Sequence, residues 1–179
     1  AIAYIFDIEE VKRKRHLESE ITLSALLSNI MGVAYRCRND KNWTMEFLSE
    51  GCYDLTGYPP EALLFNNKLT FEELILEEDK EKVWTEIQAA VEKNQPFKIS
   101  YRIRTKSGKI KWVKEKGRQI NLKDGRQVLE GYISDISREK EMDHKLKESE
   151  TKYREAYYKA EFYKDLFTHD MNNILQSLI

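Results

Sequence analysis

The sequence is short of several things, and each shortage narrows what the protein does. It has two cysteines, Cys37 and Cys52, and no Cys-x-x-Cys spacing, which argues against a disulfide framework or a zinc site. A reducing, cytoplasmic compartment is the expectation. Its longest apolar run, Ala1 to Phe6, falls far below the ~20 residues of a membrane-crossing helix, and no signal peptide is recognisable. Charge of either sign is not in excess: 30 Lys and Arg against 31 Asp and Glu leave a net charge of −1. A nucleic-acid surface or a polybasic membrane contact wants a basic face, so neither partner is expected. Histidine is scarce, with His16, His144 and His169 the three in the chain.

What is present suits one ordinary domain with helical extensions. The 179 residues are 41% hydrophobic, enough for a core, and 34% charged, above the usual quarter. A short repeat marks the organisation. Tyr4-Ile5-Phe6-Asp7-Ile8 returns as Tyr132-Ile133-Ser134-Asp135-Ile136, and each copy runs into a charged stretch carrying Glu-Ser-Glu, at 18–20 and at 148–150. Between the copies, residues 9–30 read as a helix, with Val11, Leu17, Ile21, Leu27 and Met31 near heptad spacing. Val33 to Cys37 and Trp43 to Leu48 read as a hairpin around the turn at Asn39-Asp40-Lys41-Asn42. Residues 49–66 hold short helices, since Gly57 ends one turn and Pro59-Pro60 suit only the start of the next. Residues 79–93 form an amphipathic helix with Val83, Trp84, Ile87 and Val91 on one stripe. Three strands follow, 97–104, 110–120 and 128–134, joined by turns at Gly108 and Asp124-Gly125. Two strands, a helical middle and three strands make an α+β domain on one antiparallel sheet.

At this point the residues carry a resemblance. The ordered set Cys52-Tyr53-Asp54-Leu55-Thr56-Gly57-Tyr58, Phe71-Glu72-Glu73-Leu74, Tyr101-Arg102-Ile103-Arg104-Thr105-Lys106-Ser107-Gly108, Lys111-Trp112-Val113 and Gly131 to Ser137 resembles a PAS domain with its PAC segment. The resemblance implies a five-stranded antiparallel sheet with helices on one face, flanked by an N-terminal helix and a long C-terminal coiled-coil helix. It implies three parts: 1–23, the tail of an upstream copy and a linker helix; 24–137, the sensor; 138–179, the signalling helix. Asp135-Ile136-Ser137 resembles the family's junction between last strand and output helix, where a carboxylate pairs with a basic residue and caps the helix start.

PAS domains often hold haem, flavin or metabolites. A haem iron needs an axial ligand, and all three histidines lie outside the domain core. The light-sensing subfamily's Asn-Cys-Arg-Phe segment is absent, residues 65–70 being Phe-Asn-Asn-Lys-Leu-Thr. No cofactor is therefore expected. Tyr35, Phe47, Trp84, Tyr101 and Trp112 are candidates to line a pocket. The same spacing suits a plain aromatic core, which is the favoured reading, and Cys37 and Cys52 read as small buried hydrophobes.

From Ser137 onward there is no Gly or Pro, so one helix is expected. Met142, Leu146, Ser149, Tyr153, Ala156, Ala160, Tyr163 and Phe167 step by four and three residues, the 3.5-residue period of a coiled coil. A parallel homodimer of modest strength follows, since the small residues bury little area. The step from Phe167 to Met171 is four where three was due, a stutter that changes helix phase. It falls on Phe167-Thr168-His169-Asp170-Met171-Asn172-Asn173-Ile174-Leu175, which resembles the H-box of histidine kinases. The resemblance implies that His169 accepts phosphate from ATP, that Asp170 orients the imidazole, and that Asn173, one turn on, positions water for the phosphatase direction. No metal site is expected. No nucleotide-binding segment is visible, so these residues are expected to be the sensory and dimerising portion of a sensor histidine kinase. Its ATP-binding domain and a response regulator would be further partners, and the portion alone would be inactive. The alternative is a PAS interaction module serving another output, such as a cyclase or a transcription regulator.

Overall fold

The computed structural model describes the backbone of residues 32–176 and the side chains of residues 32–166. The expected helix over 9–30, the upstream tail over 1–23 and residues 177–179 lie outside the described residues.

Strands β1 (Val33–Arg38) and β2 (Met45–Leu48) open the sheet. The strand expected from Trp43 starts two residues later. Asp40 is the reason: its Oδ1 accepts the amides of Asn42 and Thr44 at 3.1 and 3.0 Å, and its carbonyl accepts the amide of Trp43. These donors are taken from the ladder, Trp43 adopts φ 50°, and its ring turns inward against Trp84 with centroids 5.3 Å apart.

Two short helices follow. α1 (Gly51–Thr56) ends at Gly57, whose left-handed φ of 78° lets its amide reach the Tyr53 carbonyl at 2.7 Å. α2 (Pro60–Leu63) begins on proline, whose missing N–H costs nothing in a first turn. The Phe71-Glu72-Glu73-Leu74 segment of the resemblance holds a single 3₁₀ turn, Glu72–Leu74. Thr70 and Glu73 close a reciprocal box ahead of it, Thr70 Oγ1 accepting the Glu73 amide and Glu73 Oε2 the Thr70 amide. α3 (Glu77–Glu92) carries Glu77, Glu78 and Asp79 in its first turn, where the helix dipole favours them. Of its expected stripe, Val83 and Ile87 are buried and Trp84 and Val91 pack at the margin of the core.

β3 (Phe97–Arg104), β4 (Ile110–Asn121) and β5 (Gln127–Asp135) complete one antiparallel sheet in the order β2-β1-β5-β4-β3. The last strand sits in the middle, beside the first: Val33 faces Ile133 and Tyr35 faces Gly131. Alternate residues of β1 and β3 point inward, as do Val113 and Glu115 of β4 and Leu129 and Ile133 of β5. Ile99, Tyr101, Ile103, Val113, Leu129 and Ile133 are all buried there, beneath the helices. This is the five-stranded arrangement with helices on one face that the sequence implies.

α4 runs unbroken from Ser137 to Gln176. The chain divides into two compact units between Ser137 and Arg138. On the helix, Met142, Leu146, Tyr153 and Tyr163 of the expected seam each expose more than half of their surface. Glu141 and Lys145, four residues apart, pair at 2.6 Å in the orientation that supports a helix.

Candidate functional site

Strand β4 reads Lys111-Trp112-Val113-Lys114-Glu115-Lys116-Gly117, and strand alternation turns Val113, Glu115 and Gly117 to the core. A carboxylate is thus carried inside. Glu115 is 5% exposed and lies between Ile99 of β3 and Ile133 of β5. Its Oε2 accepts the Tyr101 hydroxyl at 2.7 Å and its Oε1 accepts the Tyr35 hydroxyl. Phe71, Ile75, Val83 and Ile87 make much of the surrounding wall. The side chains leave a void of about 10 Å³ for the centre of a water molecule, room for roughly one.

Burial pushes the Glu115 carboxyl up, because a charge in an apolar enclosure loses its hydration; the two phenol hydrogen bonds favour the ionised form and offset this only in part. Tyr35 and Tyr101 are held well above the ordinary phenol range by burial and then by the nearby Glu115. Burial likewise raises the thiols of Cys37 and Cys52, which leaves them as protonated, apolar fillers.

Of the five aromatic candidates, the structure brings two together. Tyr35 and Tyr101 meet at Glu115. Trp84 packs against Trp43 with the rings tilted at 47°, and the Lys41 ammonium lies 3.7 Å from its ring centroid. Phe47 is 44% exposed opposite Arg36, and Trp112 pairs with Arg102, whose guanidinium lies 5.7 Å from its ring centroid. Neither reaches the void. Glu115 itself escapes a reading by residue type, since it stands among lysines in a strand that looks solvated. The signal that finds it is positional: it sits two residues from Val113 and two from Gly117, on their face.

The second part of the site is where the sheet hands over to α4. Asp135 Oδ1 accepts the amide of Ser137, the first residue of the helix, at 2.9 Å. Its Oδ2 lies 3.2 Å from Lys111 Nζ, which also donates to the Asp54 carbonyl at the last turn of α1. Ser137 Oγ accepts the Trp112 amide at 3.0 Å, and the Ile136 amide donates to the Trp112 carbonyl at 2.8 Å. Ile136 is buried. All three junction residues are therefore tied to positions 111 and 112 of β4. Burial pushes Asp135 up, but the hydrogen bonds from Ser137 and Lys111 outweigh it and the net direction is down. Its contribution is thus present above the ordinary aspartate range and lost as pH falls through the lowered value. Asp135→Ala should lower stability by about 1 kcal/mol, the typical worth of a helix-start cap, because the half-open Lys111 pair adds little. Urea unfolding at neutral pH measures the loss, and amide exchange at Ser137 should quicken; an unchanged Ser137 amide would count against the cap.

A third anchor holds the helical layer. Asp79 in the first turn of α3 accepts the Arg102 backbone amide at 2.8 Å, Nε at 2.9 Å and Nη2 at 2.6 Å. Among the described residues no three His, Cys, Asp or Glu side chains converge as metal ligands would, and no helix is long and apolar enough to cross a membrane. His144 lies on α4 and His16 lies outside the described residues. His169, Asp170 and Asn173 fall within the helical backbone of α4, and their side chains lie outside those described.

Comparison with known proteins bears on the whole domain. The profile of the PAS fold matches residues 45–133. The chain is 26% identical over 144 residues to the methyl sulfide methyltransferase-associated sensor of Methanosarcina acetivorans, a match covering 76% of this chain and 14% of that protein. It thus spans about one seventh of the length of that relative. Among solved structures it is similar to a sensory box histidine kinase/response regulator from Burkholderia thailandensis (TM-score 0.58, 22% identity, 74% of this chain and 97% of that one). It is similar to the PAS domain of an HTR-like protein from Haloarcula marismortui as well (TM-score 0.58, 21% identity, 71% and 99%). At these identities the structural likeness is one of fold.

Proposed function

This chain belongs to the PAS-fold proteins, and from that premise we propose that it is the sensory and dimerising portion of a cytoplasmic two-component sensor histidine kinase. The observation that carries the reading is continuity: α4 leaves the Asp135–Ser137 junction and runs without interruption through position 169. A helix is a stiff rod of about 1.5 Å per residue, so a change at the junction has a direct route to a histidine some thirty residues on.

The exposed apolar residues at 142, 146, 153 and 163 supply a seam for a second copy of the helix. In the homodimer His169 would be the phosphoacceptor, an imidazole nitrogen attacking the γ-phosphorus of ATP while ADP leaves. Asp170 would orient the ring and Asn173 would position water when the phosphorylated partner is hydrolysed. ATP would be held by the kinase's own catalytic domain, and the phosphoryl group would pass to a response regulator. The signal enters as a shift between two arrangements of the domain, which changes rotation or register of the paired helices and hence access to His169. The stutter at Phe167–Met171 is the place where such a change would be transmitted. The curated relative is itself named a sensor.

The test is to express the chain joined to a catalytic domain of the same protein and supply ATP. Acid-labile phosphate is expected to appear and to vanish in His169→Gln. Phosphate retained by that variant would remove His169 from the role.

A further inference from the structure

The core of a sensory domain holds one ionisable acid where apolar packing would serve. Among the described residues the buried polar side chains are Thr44, Ser49, Thr56, Thr105 and Glu115, and Glu115 alone of these can carry a charge. We propose that Glu115 is the domain's proton-sensing group: gain or loss of one proton at its carboxyl reverses a hydrogen bond to Tyr35 or Tyr101 and thereby resets the strands that hold the Asp135 junction. The inference rests on the reading of residues 33–135 as a sensory domain and names its signal.

The chemistry of the two states differs in a way that the enclosure cannot absorb. An ionised carboxylate only accepts, and the two phenols satisfy it by donating. A protonated carboxyl must itself donate. One phenol then has to turn its own O–H away and accept instead, and its hydrogen must find another acceptor. Few are at hand. Besides the two phenols and Glu115 itself, β1 supplies Cys37, a weak acceptor, while Val83 and Ile87 of α3 and Ile133 of β5 are hydrocarbon and accept nothing. Among the described residues no lysine, arginine or histidine lines the void, so none of them supplies a cation to the ionised form. The void takes about one water, too small for a metabolite, and the ligand that fits such a space is a proton.

The position of the group gives the proton leverage. The Tyr35 ring lies on Gly131 of β5, in the place a Cβ would fill, and Tyr35 and Gly131 face each other in the β1–β5 ladder, so the phenol rests directly on the strand pair. Glu115 faces Ile133 across β4 and β5, and Val113, two residues along, faces Asp135. Trp112, the next residue, makes the backbone bonds to Ile136 and Ser137. Glu115 and Trp112, the residue that anchors the junction, are thus three residues apart on β4.

Infrared spectra of the whole chain, taken across pH, test this directly. A protonated-carboxyl carbonyl band should be present, disappear as pH rises with a midpoint above the ordinary glutamate range, and be missing in Glu115→Gln. Amide exchange at Trp112, Ile136 and Ser137, corrected for the intrinsic effect of pH, should step at the same midpoint in the wild type and not in that variant. Asp135, being lowered, titrates on the other side of the ordinary carboxylate range and does not confuse the reading. Tyr101→Phe keeps the core's shape and removes one donor to the ionised form, so it should move the midpoint upward; this decides the matter if Glu115→Gln does not fold. A band that titrates in the ordinary range, a junction indifferent to the step, or a Tyr101→Phe midpoint unmoved or lowered would each overturn the proposal. None of these readouts uses phosphoryl transfer, so failure at His169 and failure at Glu115 are distinguishable.

Discussion

Gly131→Val should unfold the domain or cost it about 3 kcal/mol or more, a large share of the stability of any domain this size. A Cβ at position 131 would meet the Lys116 carbonyl oxygen at 2.5 Å and the Tyr35 ring at 2.8 Å. The first is backbone of the neighbouring strand, and it cannot retreat without opening the β4–β5 ladder. Gly117 is its partner across that ladder, and there a Cβ would meet the tip of Phe97 at 2.6 Å. Two facing glycines thus let aromatic rings from β1 and β3 lie directly on the sheet. Gly125 is the control. Its φ of 85° suits glycine, yet among the described residues nothing lies within 4 Å of a Cβ built there, so Gly125→Ala should cost only the ~1 kcal/mol of a left-handed residue. Urea midpoints of the two variants make the comparison, and a Gly131→Val loss no larger than that of Gly125→Ala would refute the packing argument.

Asp79→Ala should cost about 2 kcal/mol, within the range of hydrogen bonds to charged groups. It strips three donors of Arg102 at once, one of them a backbone amide of the outer strand β3, and leaves the guanidinium with Glu78 at 3.7 Å. The loss also has a pH signature. Hydrogen bonding from Arg102 lowers Asp79, and hydrogen bonding from Arg38 lowers Glu46. A carboxylate lowered on folding contributes stability above its unfolded value and loses it as pH falls through the folded one. Wild-type stability should therefore fall toward acid, and Asp79→Ala should flatten that limb. Glu115 has the opposite sign. Raised on folding, it contributes fully below the ordinary glutamate range and its contribution is lost as pH rises through the raised value. A variant at 79 that keeps the full acid limb would show that Asp79 is not part of it.

Much of this architecture is legible residue by residue. The alternation of Phe97, Ile99, Tyr101 and Ile103, the turns at Gly108 and Gly125, and the Gly57-to-Pro60 break are local signals, and each element forms where its own neighbours demand. Trp43 is not, because its place depends on Asp40 capturing amides that a strand would otherwise use. The sheet order is not either: that β5 returns beside β1 is decided by packing of segments about a hundred residues apart. The same distance hides the candidate site. Tyr35, Tyr101 and Glu115 come from three strands, and only the folded sheet shows that Phe47, Trp84 and Trp112 stand away from them. Asp135 is legible because its partners are local or follow from the junction's own pattern, although Lys111 as the paired base needed the β4–β5 register.

The central pairing of β1 with β5 has a consequence for how such chains grow. The chain comes into the sheet at Val33 and departs just past Ile133, and those residues face each other across a single ladder. Antiparallel neighbours stand about 5 Å apart. The whole block from 33 to 135 could therefore be spliced into, or cut from, a longer chain with hardly any displacement of the flanking ends. The domain presents its doorway and its exit side by side, so what enters and what leaves it start from neighbouring points.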